Sequence, residues 1–126
     1  MKYLVSATLV VAALIHLMPI TGALGPAWLE KLYGLPFAEP NLEILMRHRA
    51  FLLGLLGGFL LIAAFRPALQ GIAFVAGLVS VVSFLYLAWS VGGYNAHVGR
   101  VFTADLVALA CLVLGGGVYL YQRRSG

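Results

Sequence analysis

The sequence predicts an all-α integral membrane protein: an antiparallel four-helix transmembrane bundle with a short interfacial helix after the first span. Three observations carry this. The chain is 63% hydrophobic and only 10% charged, far too apolar for the surface of a soluble domain of this size. Its apolar residues fall into four stretches, about 3–20, 42–65, 69–91 and 98–121. Each is long enough to cross a bilayer core of roughly 30 Å at about 1.5 Å per residue. The alternation of period two that marks a membrane barrel is absent, and backbone groups in lipid must find partners within their own segment, so the spans are helices. Residues 1–126 make one membrane domain, with no stretch left for a second.

The first span follows Lys2 and is interrupted near its end by His16. The run is long for the apolar part of a signal peptide, so it is read as a retained span. Residues 25–34 then read as a short helix, with Pro26 near its start and Gly34 after its end. Trp28, Leu29, Leu32 and Tyr33 share one side of it, as suits an interfacial anchor or a lid over the bundle mouth. Residues 35–41 form a turn-rich link. Pro40 fits the first turn of the second helix, with Glu39 and Glu43 complementing its dipole. Arg66, Pro67 and Ala68 make a tight turn into the third span. Gly92, Gly93, Tyr94, Asn95 and Ala96 break the chain before the fourth, and residues 122–126 read as a solvated tail.

Consecutive spans alternate in direction. The end of the first, the start of the second, the end of the third and the start of the fourth therefore share one membrane face. His16, Arg47, His48, Arg49, Tyr94, Asn95, His97, Arg100 and Asp105 all fall there. An ionisable group inside a span is costly and points to function. Residues 50–65 are shorter than the roughly 20 residues a span needs, which draws Arg47, His48 and Arg49 toward the membrane. Three successive helical residues cannot face one pocket. Arg47 shares a stripe with Gly54 and Gly58, a spacing that lets another helix approach. Arg47 and His48 are therefore expected inward and Arg49 turned toward headgroups. Asp105 shares a stripe with Val101, Ala108, Leu112 and Gly116, and Arg47 is its expected partner. The competing reading of Arg47 and Asp105 is an ion pair tying two helices, and that of the basic triplet is a clamp on lipid phosphate.

The expected ligand-binding residues are His16, Arg47, His48, Tyr86, Trp89, Tyr94, Asn95 and Asp105, around a cavity in the outer half of the bundle. Tyr86 and Trp89 also suit an aromatic belt. Asp105, His48 and Arg47 are the candidates for catalysis: Asp105 or His48 to transfer a proton, Arg47 to stabilise charge. Three histidines invite a metal or haem, but no ligand spacing supports either, so no metal and no cofactor is expected. The lone Cys111 sits among Leu and Val and reads as a packed hydrophobe. The net charge of +4 lies at helix ends without a basic stripe, which excludes nucleic acid.

The residues Leu32-Tyr33-Gly34-Leu35-Pro36, Glu39-Pro40-Asn41-Leu42, Leu45-Met46-Arg47-His48-Arg49-Ala50 and Ala64-Phe65-Arg66-Pro67-Ala68-Leu69-Gln70 resemble a family of small bacterial membrane proteins often labelled phosphopantetheine adenylyltransferase. The soluble enzyme of that name carries a His-x-Gly-His motif, absent here, so the label does not fit. The layout is also similar to the DoxX-like four-helix membrane families, a resemblance that implies binding of hydrophobic molecules. Small multidrug transporters need a carboxylate in the first span, and dual-topology fluoride channels have another arginine and asparagine pattern.

The expected function is binding of an amphipathic small molecule, such as a lipid, quinone or isoprenoid, at the outer polar end. The alternatives are a membrane enzyme doing acid/base chemistry on a lipophilic substrate, and a structural or assembly partner without a ligand. Membrane lipids are the other expected partner, and a homo-oligomer stays open. With the site residues set aside, Lys2, Arg66, Arg123 and Arg124 outweigh Lys31. This places both termini in the cytoplasm of a bacterial inner membrane.

Overall fold

The computed structural model describes residues 2–35 and 39–125. They form α1 (Lys2–Leu17), a 3-10 segment (Met18–Leu24), α2 (Pro26–Tyr33), α3 (Pro40–Ala64), α4 (Pro67–Val91) and α5 (Ala96–Ser125). Among the described residues there is no strand. The 3-10 segment continues the line of α1, and with it four helical stretches are long and apolar enough to cross a membrane. Phe51, Leu55, Ile62, Val75, Val79, Val113 and Leu114 are largely exposed. Aqueous surroundings would penalise such a surface, whereas lipid is its natural solvent.

Local chemistry sets the element ends. Pro19 lacks an amide hydrogen, and the chain leaves the α-helix before it, at Leu17, for the 3-10 segment. The Glu39 carboxylate caps α3, accepting from the Asn41 amide at 3.1 Å and the Leu42 amide at 2.9 Å. Pro40 and Pro67 open α3 and α4, where the missing N–H costs nothing. The link expected over 35–41 falls in part on 36–38, outside the described residues. The tail expected after Tyr121 is instead helical through Ser125, and Arg123 and Arg124 complement the dipole of the last turn.

Around the bundle the order is α1, α3, α4, α5, with α1 packed on α3 and α5, and α4 packed on α5 and α3. The main core draws on all four: Val5, Leu9, Ala12 and Ala13 from α1, Leu60 and Ala63 from α3, Phe74 and Val81 from α4, Ala108 and Leu112 from α5. The α2 helix lies over one end, against the 3-10 segment, α5 and α3. There Leu29 and Tyr33 head a second, small apolar cluster with Leu32, Met46, Val98 and Val101. Two apolar clusters are thus stacked along the bundle, one deep and one beneath α2.

Candidate functional site

A cavity of about 420 Å³ opens at the end covered by α2. Every helix contributes to its wall: Ile15 and His16 from α1, Lys31 to Tyr33 from α2, Arg49 and Leu53 from α3, Ser80, Ser83, Phe84 and Leu87 from α4, and His97, Arg100, Val101, Ala104 and Asp105 from α5.

On α3, the packed positions are Ala50, Gly54, Gly57, Leu60, Ala63 and Ala64. Gly54 stands at the edge of this inward face, and Leu60 and Ala63 carry the face round toward Arg49, away from Arg47 and Gly58. Gly57 sits at the contact: a Cβ there would lie 2.8 Å from Leu17 Cγ and 3.0 Å from the Ala13 carbonyl oxygen. Gly58 faces open space. This phase corrects the expectation for the basic triplet. Arg49 lines the cavity. Arg47 turns to the flank, where Nε donates to the Ala23 carbonyl at 3.0 Å and a terminal nitrogen pairs with Glu43 at 3.1 Å. Its partner is thus Glu43, one turn earlier, and not Asp105. His48 points to the outside and is exposed.

Arg49 joins the lid to the bundle. It donates to the Tyr33 hydroxyl, and its guanidinium lies 5.6 Å from the Tyr33 ring centre and 5.8 Å from that of Phe84. The same corner holds α2 in two further ways. The Asn95 side-chain amide donates to the Tyr33 carbonyl at 2.8 Å, and its oxygen accepts from the Val98 amide at 2.9 Å. Gly34, in the left-handed region at φ 68°, ends α2, and the His97 ring fills the space a Cβ there would take. Asn95 is therefore a cap and a tether. His97 stands in the first turn of α5 and is half-buried against the lid.

His16 is 4% exposed and bonds across the diagonal of the bundle. Its Nδ1 lies 2.8 Å from the Ala12 carbonyl and its Nε2 3.0 Å from the Ser80 hydroxyl. A carbonyl only accepts, so Nδ1 carries hydrogen. In the neutral imidazole Nε2 then accepts from Ser80. Asp105 faces the cavity within the electrostatic reach of Arg49. Among the described residues it makes no hydrogen bond and no ion pair; the one ion pair there is Glu43–Arg47.

Of the residues expected around the cavity, His16 and Asp105 line it. Tyr86 and Trp89 lie on the opposite side of α4, 62% and 77% exposed, as belt aromatics do. Tyr94 stacks on Phe102 at 5.7 Å and does not line the cavity. Arg49, His97, Arg100, Ser80 and Phe84 replace them in the wall. The stripe of Leu53, Leu56, Leu60 and Ala63, which packs inward along α3, is the one Arg49 shares, whereas Gly54 and Gly58 lie on that of Arg47. Among the described residues no group of three His, Cys, Asp or Glu side chains is placed to hold a metal ion. No family model matches the chain, and no curated protein or solved structure matches it.

Proposed function

We propose that this multi-pass membrane protein binds an amphipathic small molecule, such as a lipid, quinone or isoprenoid, in the cavity beneath α2. The observation that carries the reading is the split wall of that cavity. Ile15, Leu53, Phe84 and Leu87 offer an apolar surface beside Arg49, Arg100, Asp105 and His97. Sites for such molecules are mostly apolar with a few convergent polar groups. A bundle held together only by ion pairs would leave these groups filled by one another, and Asp105 is not. The resemblance to DoxX-like proteins points the same way. The basic residues outside the cavity support an inner-membrane protein with both termini in the cytoplasm and the cavity mouth outside.

Extraction of the protein purified in mild detergent, followed by mass spectrometry, tests the reading. A stoichiometric amphiphile should accompany the native protein. It should be lost from Ala104→Phe, which fills the cavity from α5. Identical lipid content in both proteins would end the proposal.

A second reading, acid/base chemistry on a lipophilic substrate, is favoured by one observation. The backbone of Ala12 orients the His16 imidazole so that its other nitrogen meets the Ser80 hydroxyl, in the same wall as Asp105. His48 and Arg47, the other residues named for such chemistry, lie outside that wall. Turnover of the extracted amphiphile that disappears in His16→Gln would favour this reading over binding alone.

A further inference from the structure

We propose that the head of the amphiphile is an acid that also carries a hydrogen-bond donor, with Arg49 and Arg100 meeting the charge and Asp105 the donor. This rests on the binding reading above.

Two arginines of one helix differ in their partners. Arg47 is compensated within the protein by the Glu43 carboxylate and the Ala23 carbonyl. Arg49 is not. Its neighbours are a phenol hydroxyl and two aromatic faces. These orient a guanidinium but do not neutralise it. Asp105 lies within electrostatic reach of Arg49 but forms no ion pair with it, and a cation in a span without a paired counter-charge is expensive, a cost that falls when an anion is supplied. Arg100 stands in the same wall and makes no ion pair among the described residues. With Lys31 at the rim, three permanent cations line the cavity against one carboxylate. A neutral head, such as a quinone or an alcohol, would leave this excess in place. A zwitterionic head would bring a further cation. An acid removes it, and a planar guanidinium binds carboxylate or phosphate oxygens with paired hydrogen bonds.

Asp105 adds the second requirement. An ionised carboxylate only accepts, and no described residue donates to Asp105. A head that brings a hydroxyl satisfies it. The apolar tail would lie along Ile15, Leu53, Phe84 and Leu87, the apolar lining from α1, α3 and α4.

Binding to the full chain in uncharged detergent tests this with four probes: dioleoylphosphatidylglycerol, oleate, dioleoylglycerol and inorganic phosphate. The first should bind most tightly, by at least about tenfold over dioleoylglycerol, the scale of one charge-assisted contact. Arg49→Gln and Arg100→Gln should each erase about that factor. Arg100 is exposed and has no protein partner among the described residues, so its variant keeps the fold even where Arg49→Gln loosens α2. Asp105→Asn should reduce the advantage of dioleoylphosphatidylglycerol over oleate. Dioleoylglycerol binding as well as dioleoylphosphatidylglycerol would overturn the acid head while leaving an amphiphile site standing. Unchanged affinity in folded Arg100→Gln would overturn it too. Inorganic phosphate binding as tightly as the lipid would make this an anion site without a tail and overturn both readings. Failure of all four probes to saturate the native protein would also end both.

Discussion

Arg47 and Arg49 differ by two positions and serve different ends. Arg47 braces α3 against the 3-10 segment through its bonds to Glu43 and the Ala23 carbonyl. It is partly exposed, so screening discounts the ion pair, and Arg47→Gln should cost about 1 kcal/mol. Thermal unfolding in detergent would measure that loss, with amphiphile content unchanged. Loss of the amphiphile without loss of stability would reverse the two roles. Glu39 acts differently. Amide hydrogen bonds from Leu42, then Asn41, hold its carboxylate below the usual glutamate range. The folded value is the depressed one. Its contribution to α3 is therefore present above the unfolded glutamate pKa and is lost as pH falls through the lower, folded value. Amide exchange at Asn41 and Leu42, corrected for intrinsic rates, should lose protection on acidification through that range. In Glu39→Ala the protection should be low and insensitive to pH. The same pH response in both proteins would mean another group titrates there.

Helix packing in this bundle depends on where small residues sit. Gly57 lets α3 approach α1 at Ala13 and Leu17, and a methyl group there meets backbone as well as side chain. Gly57→Ala should destabilise the bundle by about 1–3 kcal/mol, the usual range for overpacking. Gly58→Ala meets nothing and should be neutral or stabilising by up to about 1 kcal/mol from helix propensity. Equal losses at the two positions would show that α3 is rotated from the phase described above. The α2 lid has its own weak point. Gly34 adopts φ 68° with the His97 ring against it, so Gly34→Ala is opposed by backbone strain of about 1–2 kcal/mol and by collision. Hydrogen exchange should then rise in α2 and in the first turn of α5 and stay constant in the core of α1. Unaltered exchange in α2 would show that the lid is not held there.

The whole bundle is polarised in charge along its length. Leu9, Leu60, Phe74 and Leu112 pack its core, the end beneath α2 carries the cavity with Arg49, Arg100 and Asp105 and the lid, and the opposite end has an opening of about 480 Å³ beside Ser6, Gln70 and Tyr119. The topology proposed above, with both termini in the cytoplasm, predicts that a C-terminal fusion to a reporter that works only in the periplasm stays silent and that a cytoplasmic reporter is active. A periplasmic signal would turn the molecule over and open the cavity to the cytoplasm.

Composition and length were enough to read the four spans, the membrane class and the crowding of ionisable residues at one end, because lipid imposes its length and polarity rules on each segment separately. Turn chemistry likewise marked α2 and the start of α3, through Pro26, Gly34, Glu39 and Pro40. The rotation of each helix about its own axis was not legible in the same way. Each residue advances the helix by about 100°, so Arg47, His48 and Arg49 compete for one pocket and only neighbouring helices choose among them. Leu60 and Ala63 pack into the core on the stripe that Arg49 shares, and that packing turns Arg49 into the cavity, Arg47 to the flank and His48 outward. His97 and Ser80 gained their places in the same way, the first from the fold of α2 over α5 and the second from a histidine reaching across the diagonal of the bundle.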